Sequence, residues 1–142
     1  MSPRRRISLS LRKRLAEAAG YACNYCRSPS LAGVPLAVDH IVPLAAGGTD
    51  HPANLCLACY RCNEFKGAQT TGMDSLTSAV TPLFHPNQQN WSDHFAWSQD
   101  SLTIVPLTAV GRVTVEMLRM NDGWLLQARR IWRLAGIHPP LS

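Results

Sequence analysis

Two Cys-x-x-Cys pairs, Cys23/Cys26 and Cys59/Cys62, are the residues in this 142-residue chain best spaced for chemistry. Two intervening residues let a tight knuckle aim both sulfurs at one ion, and two knuckles complete a tetrahedral four-thiolate site. Such a site keeps no open position, so a zinc ion held there would be structural. Two alternatives stand beside this reading. Free cysteines are common core residues, and Cys56, three residues before Cys59, makes Cys56/Cys59 a competing pair. Between the pairs lie Asp39-His40, Gly47-Gly48 and Asn54-Leu55, and the second pair runs on as Asn63-Glu64-Phe65-Lys66-Gly67. Taken singly, Asp39 is a possible turn cap, His40 a possible core histidine, and Asn54 and Asn63 possible turn and cap residues.

Taken in order, these features resemble the HNH endonuclease family: two knuckles, Asp-His, a Gly-Gly loop, Asn-Leu, and Cys-Asn followed by Lys. The resemblance covers about residues 10–68. It implies an α+β fold, with a ββα-metal (His-Me finger) nuclease core stapled by a four-Cys zinc site. It also favours Cys59/Cys62 as the second knuckle and leaves Cys56 to the core. Phosphodiester hydrolysis needs an activated water, a Lewis acid on the phosphate and a stabilised leaving oxygen. By the resemblance, His40 is the general base, since a neutral imidazole takes a proton near neutral pH. Asp39 and Asn63 are the implied ligands of a catalytic divalent ion: Mg²⁺, or another such as Mn²⁺ or Ni²⁺. Asn54 is the implied middle Asn, bonding backbone to hold the loop that carries His40. The family often has His where this chain has Asn63, and an amide oxygen suits a hard ion better than a soft one. The implied activity is hydrolysis of DNA, single- or double-stranded. A non-catalytic zinc module that binds nucleic acid is the alternative.

These residues need particular elements to position them. Residues 8–19 read as a helix, with Ser8 or Ser10 as cap and Gly20 as stop. A short strand is expected over Leu36–Ile41 and a second over Asn54–Leu57. A helix is expected from Tyr60 to about Gln69, ending near Gly72. Asn63 directly follows Cys62, so the zinc would pin the start of the helix that carries a catalytic-metal ligand. In a regular strand Asp39 and His40 point to opposite faces, so the strand must end or bend there, or metal and water must approach from different sides.

Residues 1–72 thus form the expected nuclease core, and 73–142 an expected C-terminal extension, mostly helical. Residues 70–80, rich in Thr and Ser, read as a connector. The run from Leu83-Phe84-His85-Pro86 through Trp91 to Trp97 resembles the carboxyl-terminal extension of a group of small bacterial HNH proteins. Aromatics at 84, 91, 95 and 97 favour a hydrophobic cluster there over a second metal site at His85 and His94. Ser101–Leu107 reads as a strand. Two helices close the chain, the first with Val110, Val113, Met117 and Met120 on one face. In the second, Trp124, Ala128, Ile131, Trp132 and Ala135 follow the helical period, which reads as a core stripe.

Composition agrees with a folded, nucleic-acid-facing protein. Hydrophobic residues are 46% and charged residues 16%, which excludes a disordered chain. No apolar run approaches the roughly 18 residues of a membrane span. Arg4-Arg5-Arg6 is followed by no apolar stretch of the kind an export signal needs, so a cytoplasmic protein with reduced thiols is expected. Fourteen Lys and Arg against nine Asp and Glu give +5, a balance that favours a polyanion. Arg61, Lys66, Arg129, Arg130 and Arg133 are the candidate phosphate contacts, with a solvated helix face as the alternative for each. Monomer and homodimer both stay open.

Overall fold

The structure, a computed structural model, describes residues 7–140; the Arg4–Arg6 cluster lies outside them. Helix α1 spans Leu9–Ala18, and the Ser8 hydroxyl accepts from Leu11 N at 3.1 Å, so Ser8 is the cap. The core that follows is two strands and a helix. Strand β1 (Leu36–His40) pairs antiparallel with β2 (Leu55–Cys59), with Asp39 opposite Cys56 and His40 opposite Leu55. Helix α2 (Tyr60–Lys66) leaves β2 without a loop. All five residues of β2 are buried, because the strand is covered on both faces.

The chain beyond α2 is less helical than its sequence suggests. Residues 70–80 are not a connector: β3 (Thr71–Met73) and β4 (Val80–Pro82) form a hairpin. Gly72 lets that hairpin sit hard against a helix, since a Cβ there would stand 2.7 Å from Val113 and Met117 side-chain carbons. A one-turn helix α3 (Trp91–His94) leads into a second hairpin, β5 (Phe95–Trp97) with β6 (Ile104–Pro106). Helix α4 (Ala109–Met117) is capped by Thr108, whose hydroxyl accepts from Gly111 N. Helix α5 (Gly123–Leu134) closes the fold.

One hydrophobic cluster joins the two halves. It runs from Cys23, Tyr25 and Ile41 through Leu83, Phe84 and Phe95 to Val113, Leu118 and Met120. Trp91 stacks between Phe95 and Trp97 at 5.1 and 5.6 Å, and its indole N–H donates to Tyr25 O at 2.8 Å. His94 joins this group through a 5.8 Å edge contact with Phe84 and a 2.7 Å bond to the Thr108 hydroxyl. Asn87 donates to the carbonyls of Ala53 and Leu55, tying the extension to β2.

Helix α5 corrects the expected stripe. Trp124 is 86% exposed and Ile131 64%, while Leu125 and Arg129 face inward. The reason is Arg129. Its guanidinium donates to the carbonyls of Leu102 and Met120 and to Asn121 Oδ1, and lies over the Trp97 ring. Satisfying those carbonyls turns the Leu125/Arg129 face to the core and leaves Trp124, Ile131 and Ala135 exposed, with Ala128 and Trp132 half-buried. No helix is long and apolar enough to cross a membrane among the described residues.

Candidate active site and metal centre

The two knuckles meet. Cys23 and Cys26 come from the segment between α1 and β1, Cys59 ends β2, and Cys62 lies in the first turn of α2. All four sulfurs lie within 4.8 Å of one another and all four residues are buried. The Cys26–Cys59 sulfur separation is 3.6 Å. Zn–S bonds of about 2.3 Å in a tetrahedron place sulfurs about 3.8 Å apart, so the spacing fits one ion. The knuckles are braced by backbone N–H groups, from Tyr25 to Cys23 Sγ and from Cys62 to Cys59 Sγ, each at 3.4 Å. Burial pushes the Cys23 thiol well up, whereas hydrogen bonding with Cys23 holds the Cys26 thiol well down. Four buried sulfurs gathered this closely are the donor set of a tetrahedral zinc site, so these four residues could hold one ion.

Cys56 is not part of this set. Its sulfur faces Tyr25 Oη at 3.8 Å and Asp39 Oδ2 at 3.7 Å. Burial pushes its thiol up, as does the neighbouring Asp39 charge. The competing Cys56/Cys59 pairing is thereby excluded: Cys56 and Cys59 sit at different positions of one strand, and only Cys59 reaches the cluster.

A cleft of about 740 Å³ opens at the end of β1 and along α2. Asp39, His40 and Asn63 line it together, with Arg12, Pro43 and Tyr60. The adjacency of Asp39 and His40 resolves itself at this strand end. His40 is the last residue of β1, and Asp39 is only 4% exposed, turned toward the core while still bordering the cleft. Its Oδ2 accepts from Tyr25 Oη at 3.0 Å. Burial, then the neighbouring Cys56 and Asp39, pushes the Tyr25 phenol well up, so it stays a donor. The Asn63 side chain makes no hydrogen bond among the described residues. Asp39 and Asn63 both line the cleft, and a carboxylate and an amide oxygen are donors of the kind a hard divalent ion takes.

Asn54 clamps the loop between the strands. Its Oδ1 accepts from Val42 N at 2.8 Å, and its Nδ2 donates to Val42 O and Thr49 O at 3.0 and 2.8 Å. Gly48 has to be glycine for the same closure, since a Cβ there would stand 1.8 Å from Val42 O. The clamped loop presents Asp50, whose Oδ1 lies 2.7 Å from His40 Nε2.

Several basic residues are not where phosphate could reach them. Lys66 is 1% exposed, its ammonium 3.3 Å from Asp39 Oδ2 and 3.0 Å from His40 O. Arg129 is 0% exposed, as described above. Neither contacts a phosphate, because the carboxylate and the carbonyls already hold their heads inside. Arg61 pairs with Asp122 at 3.0 Å and lies over Phe65. Arg133 is exposed but donates to Asp100 O, and Arg130 is exposed. His51 is exposed and caps the short turn Pro52–Asn54. Three residues at the site were not singled out by spacing: Tyr25, Asp50 and Arg12. Arg12 and Asp50 belong to no motif that the spacing picks out, and Tyr25 stands only inside the first knuckle.

The model of the HNH endonuclease family matches residues 23–69, from the first knuckle cysteine to just past α2. No curated protein and no solved structure matches the chain. The matched span contains both knuckles, β1, the clamped loop, β2 and α2; it gathers the four sulfurs and supplies the cleft residues Asp39, His40 and Asn63, while Arg12 comes from α1 outside it. Residues 23–69 of this chain are similar to the HNH endonuclease domain.

Proposed function

We propose that the protein is a metal-dependent endonuclease that hydrolyses DNA phosphodiester bonds at the cleft beside β1. The observation that carries this is the meeting of Asp39, His40 and Asn63 on one cleft, all three within the HNH-like span. The four cysteines hold a structural zinc. It ties the segment before β1 to the start of α2, where Cys59 is the cap residue and Cys62 lies in the first turn. Asn63, next in sequence, is then fixed by the same staple.

Asp39 and Asn63 are the oxygen donors for a hard divalent ion such as Mg²⁺. When bound there, that ion supplies Lewis-acid stabilisation of the phosphate and of the departing oxygen. His40 acts as general base. It takes a proton from a water whose oxygen bonds to phosphorus while the bond from phosphorus to the 3′ oxygen breaks. Arg12 borders the cleft as an exposed guanidinium donor and binds a phosphate beside the scissile one. DNA is the proposed partner, with the +5 balance favouring approach of the polyanion.

Supercoiled plasmid with Mg²⁺, Mn²⁺ or Ni²⁺ tests the reading. The wild-type protein is expected to nick or linearise it, EDTA to stop the reaction, and His40→Ala to abolish it. No cleavage with any of the three ions would leave a zinc module that binds nucleic acid without cutting. Equal cleavage by His40→Ala would remove His40 as the base.

A further inference from the structure

A carboxylate only accepts hydrogen bonds, and Asp50 Oδ1 lies 2.7 Å from His40 Nε2. In a neutral His40 the ring proton must therefore sit on Nε2, and Nδ1 carries the lone pair. We infer that Asp50 is a positioning residue that holds His40 in the Nε2–H tautomer and leaves Nδ1 as the atom that takes the proton from water. The inference rests on the nuclease reading above for its chemical purpose, but not for its geometry.

Three observations carry it. The contact is short and partly shielded, with the His40 and Asp50 side chains 17% and 31% exposed. The loop that bears Asp50 does not hang free. Asn54 bonds Thr49 O immediately before Asp50, and the Thr49 hydroxyl accepts from His51 N immediately after it. Gly48 packs against Val42 O, closing the loop on itself next to the His40 strand end. The loop thus fixes a carboxylate at one ring nitrogen of a residue that lines the cleft. No hydrogen bond engages Nδ1 among the described residues. A histidine with one nitrogen pinned by a carboxylate and the other left for water is set up for proton abstraction from one direction only.

The same contact gives the Gly-Gly loop a role beyond turning the chain. Its length, its glycines and Asn54 place one acid at the base. Asp50 touches no reacting atom in this scheme and acts through His40.

The test uses the zinc-loaded full chain without added divalent ion. Nitrogen-15 NMR correlation spectra of the histidine rings, recorded over a pH series, report which nitrogen carries the proton. Wild type is expected to show the Nε2–H form alone. Asp50→Asn offers both a donor and an acceptor and is expected to show a mixture; Asp50→Glu keeps an acceptor and is expected to restore the single form. In parallel, plasmid nicking with Mg²⁺ is measured. Asp50→Asn is expected to lower kcat about 10–100-fold, the range for loss of an orienting partner, with KM changed far less. Asp50→Glu is expected to recover part of kcat. An unchanged tautomer in Asp50→Asn, or an unchanged kcat, overturns the inference. If wild type itself cuts nothing, the nuclease reading falls, and the ring spectra alone decide whether the Asp50–His40 pair exists as drawn.

Discussion

Lys66 places its ammonium 3.3 Å from the Asp39 carboxylate, where the two side chains are 1% and 4% exposed. The same ammonium donates to His40 O at 3.0 Å. One lysine at the end of α2 therefore grips both the side chain and the backbone of the last two residues of β1. Few contacts tie α2 to β1 so directly, and this one sets where the cleft-lining carboxylate and histidine stand relative to Asn63. A charge buried in this way is tolerated only because it is paired, and removing either partner strands the other.

Lys66→Met is accordingly expected to cost about 3–5 kcal/mol, the range for breaking a buried pair from one side. Asp39→Asn added to it removes the stranded carboxylate and is expected to regain about 0.5–3 kcal/mol. Urea unfolding followed by tryptophan fluorescence measures both. A Lys66→Met protein as stable as wild type would mean that the ammonium is not held as described. Strict additivity of the two substitutions would mean that the pair is not coupled.

The knuckles, the Asp-His pair and the middle Asn were legible in the sequence because each is a short-range pattern of rare residue types. The partners that complete the site were not. Lys66 reads as any lysine on a short helix, and what turns it inward is a carboxylate 27 residues away. Asp50 carries no signal of its own in the sequence; only closure of the loop brings it to His40. In α5 the period was correct but the phase was not. Burial of Arg129 against carbonyls of the β5–β6 hairpin and the α4–α5 turn outweighed burial of Trp124 and Ile131, and no periodicity encodes that choice. The β3–β4 hairpin failed for a different reason: three-residue strands are too short to show alternation, and Thr71-Gly72 reads as loop.

Zinc is expected at one ion per chain, measured by elemental analysis of purified protein. Cys26→Ser and Cys62→Ser are expected to lose it, and Cys56→Ser to keep it. Structural zinc sites in small modules bind with apparent free energies of about 10–16 kcal/mol. That matches the whole stability of an ordinary domain, about 5–15 kcal/mol. Chelation is therefore expected to unfold the core rather than loosen it. Loss of zinc in Cys56→Ser would reassign the second knuckle; retention in Cys62→Ser would break the four-thiolate scheme.

Asn54→Ala deletes three bonds to loop backbone and leaves Val42 N without its acceptor. An unsatisfied, partly buried group costs about 1–3 kcal/mol. Loss of stability in that range is expected, together with faster amide exchange at Val42 and across residues 48–51, read by hydrogen–deuterium exchange. Unchanged exchange there would show that Gly48 and the short turns hold the loop without Asn54.

Arg12 is the residue proposed for the phosphate contact that sequence position suggested for Lys66 and Arg129. It is exposed on α1 and borders the same cleft as Asp39, His40 and Asn63. A side chain that neutralises one DNA phosphate releases about one condensed counterion, so the slope of log K against log salt falls by about 0.9 when it is removed from a duplex contact. Arg12→Ala is expected to show that reduced slope and weaker binding at low salt, with no preference among DNA sequences, because phosphate contacts position the strand without reading it. Fluorescence anisotropy of a labelled duplex across a salt series, without divalent ion so that nothing is cut, measures it. The Arg129 head is already bound to carbonyls, so truncating it is expected to act on stability and to leave the salt slope of the folded fraction alone. A slope that falls with Arg129 and not with Arg12 would move the DNA path away from this cleft and onto α5.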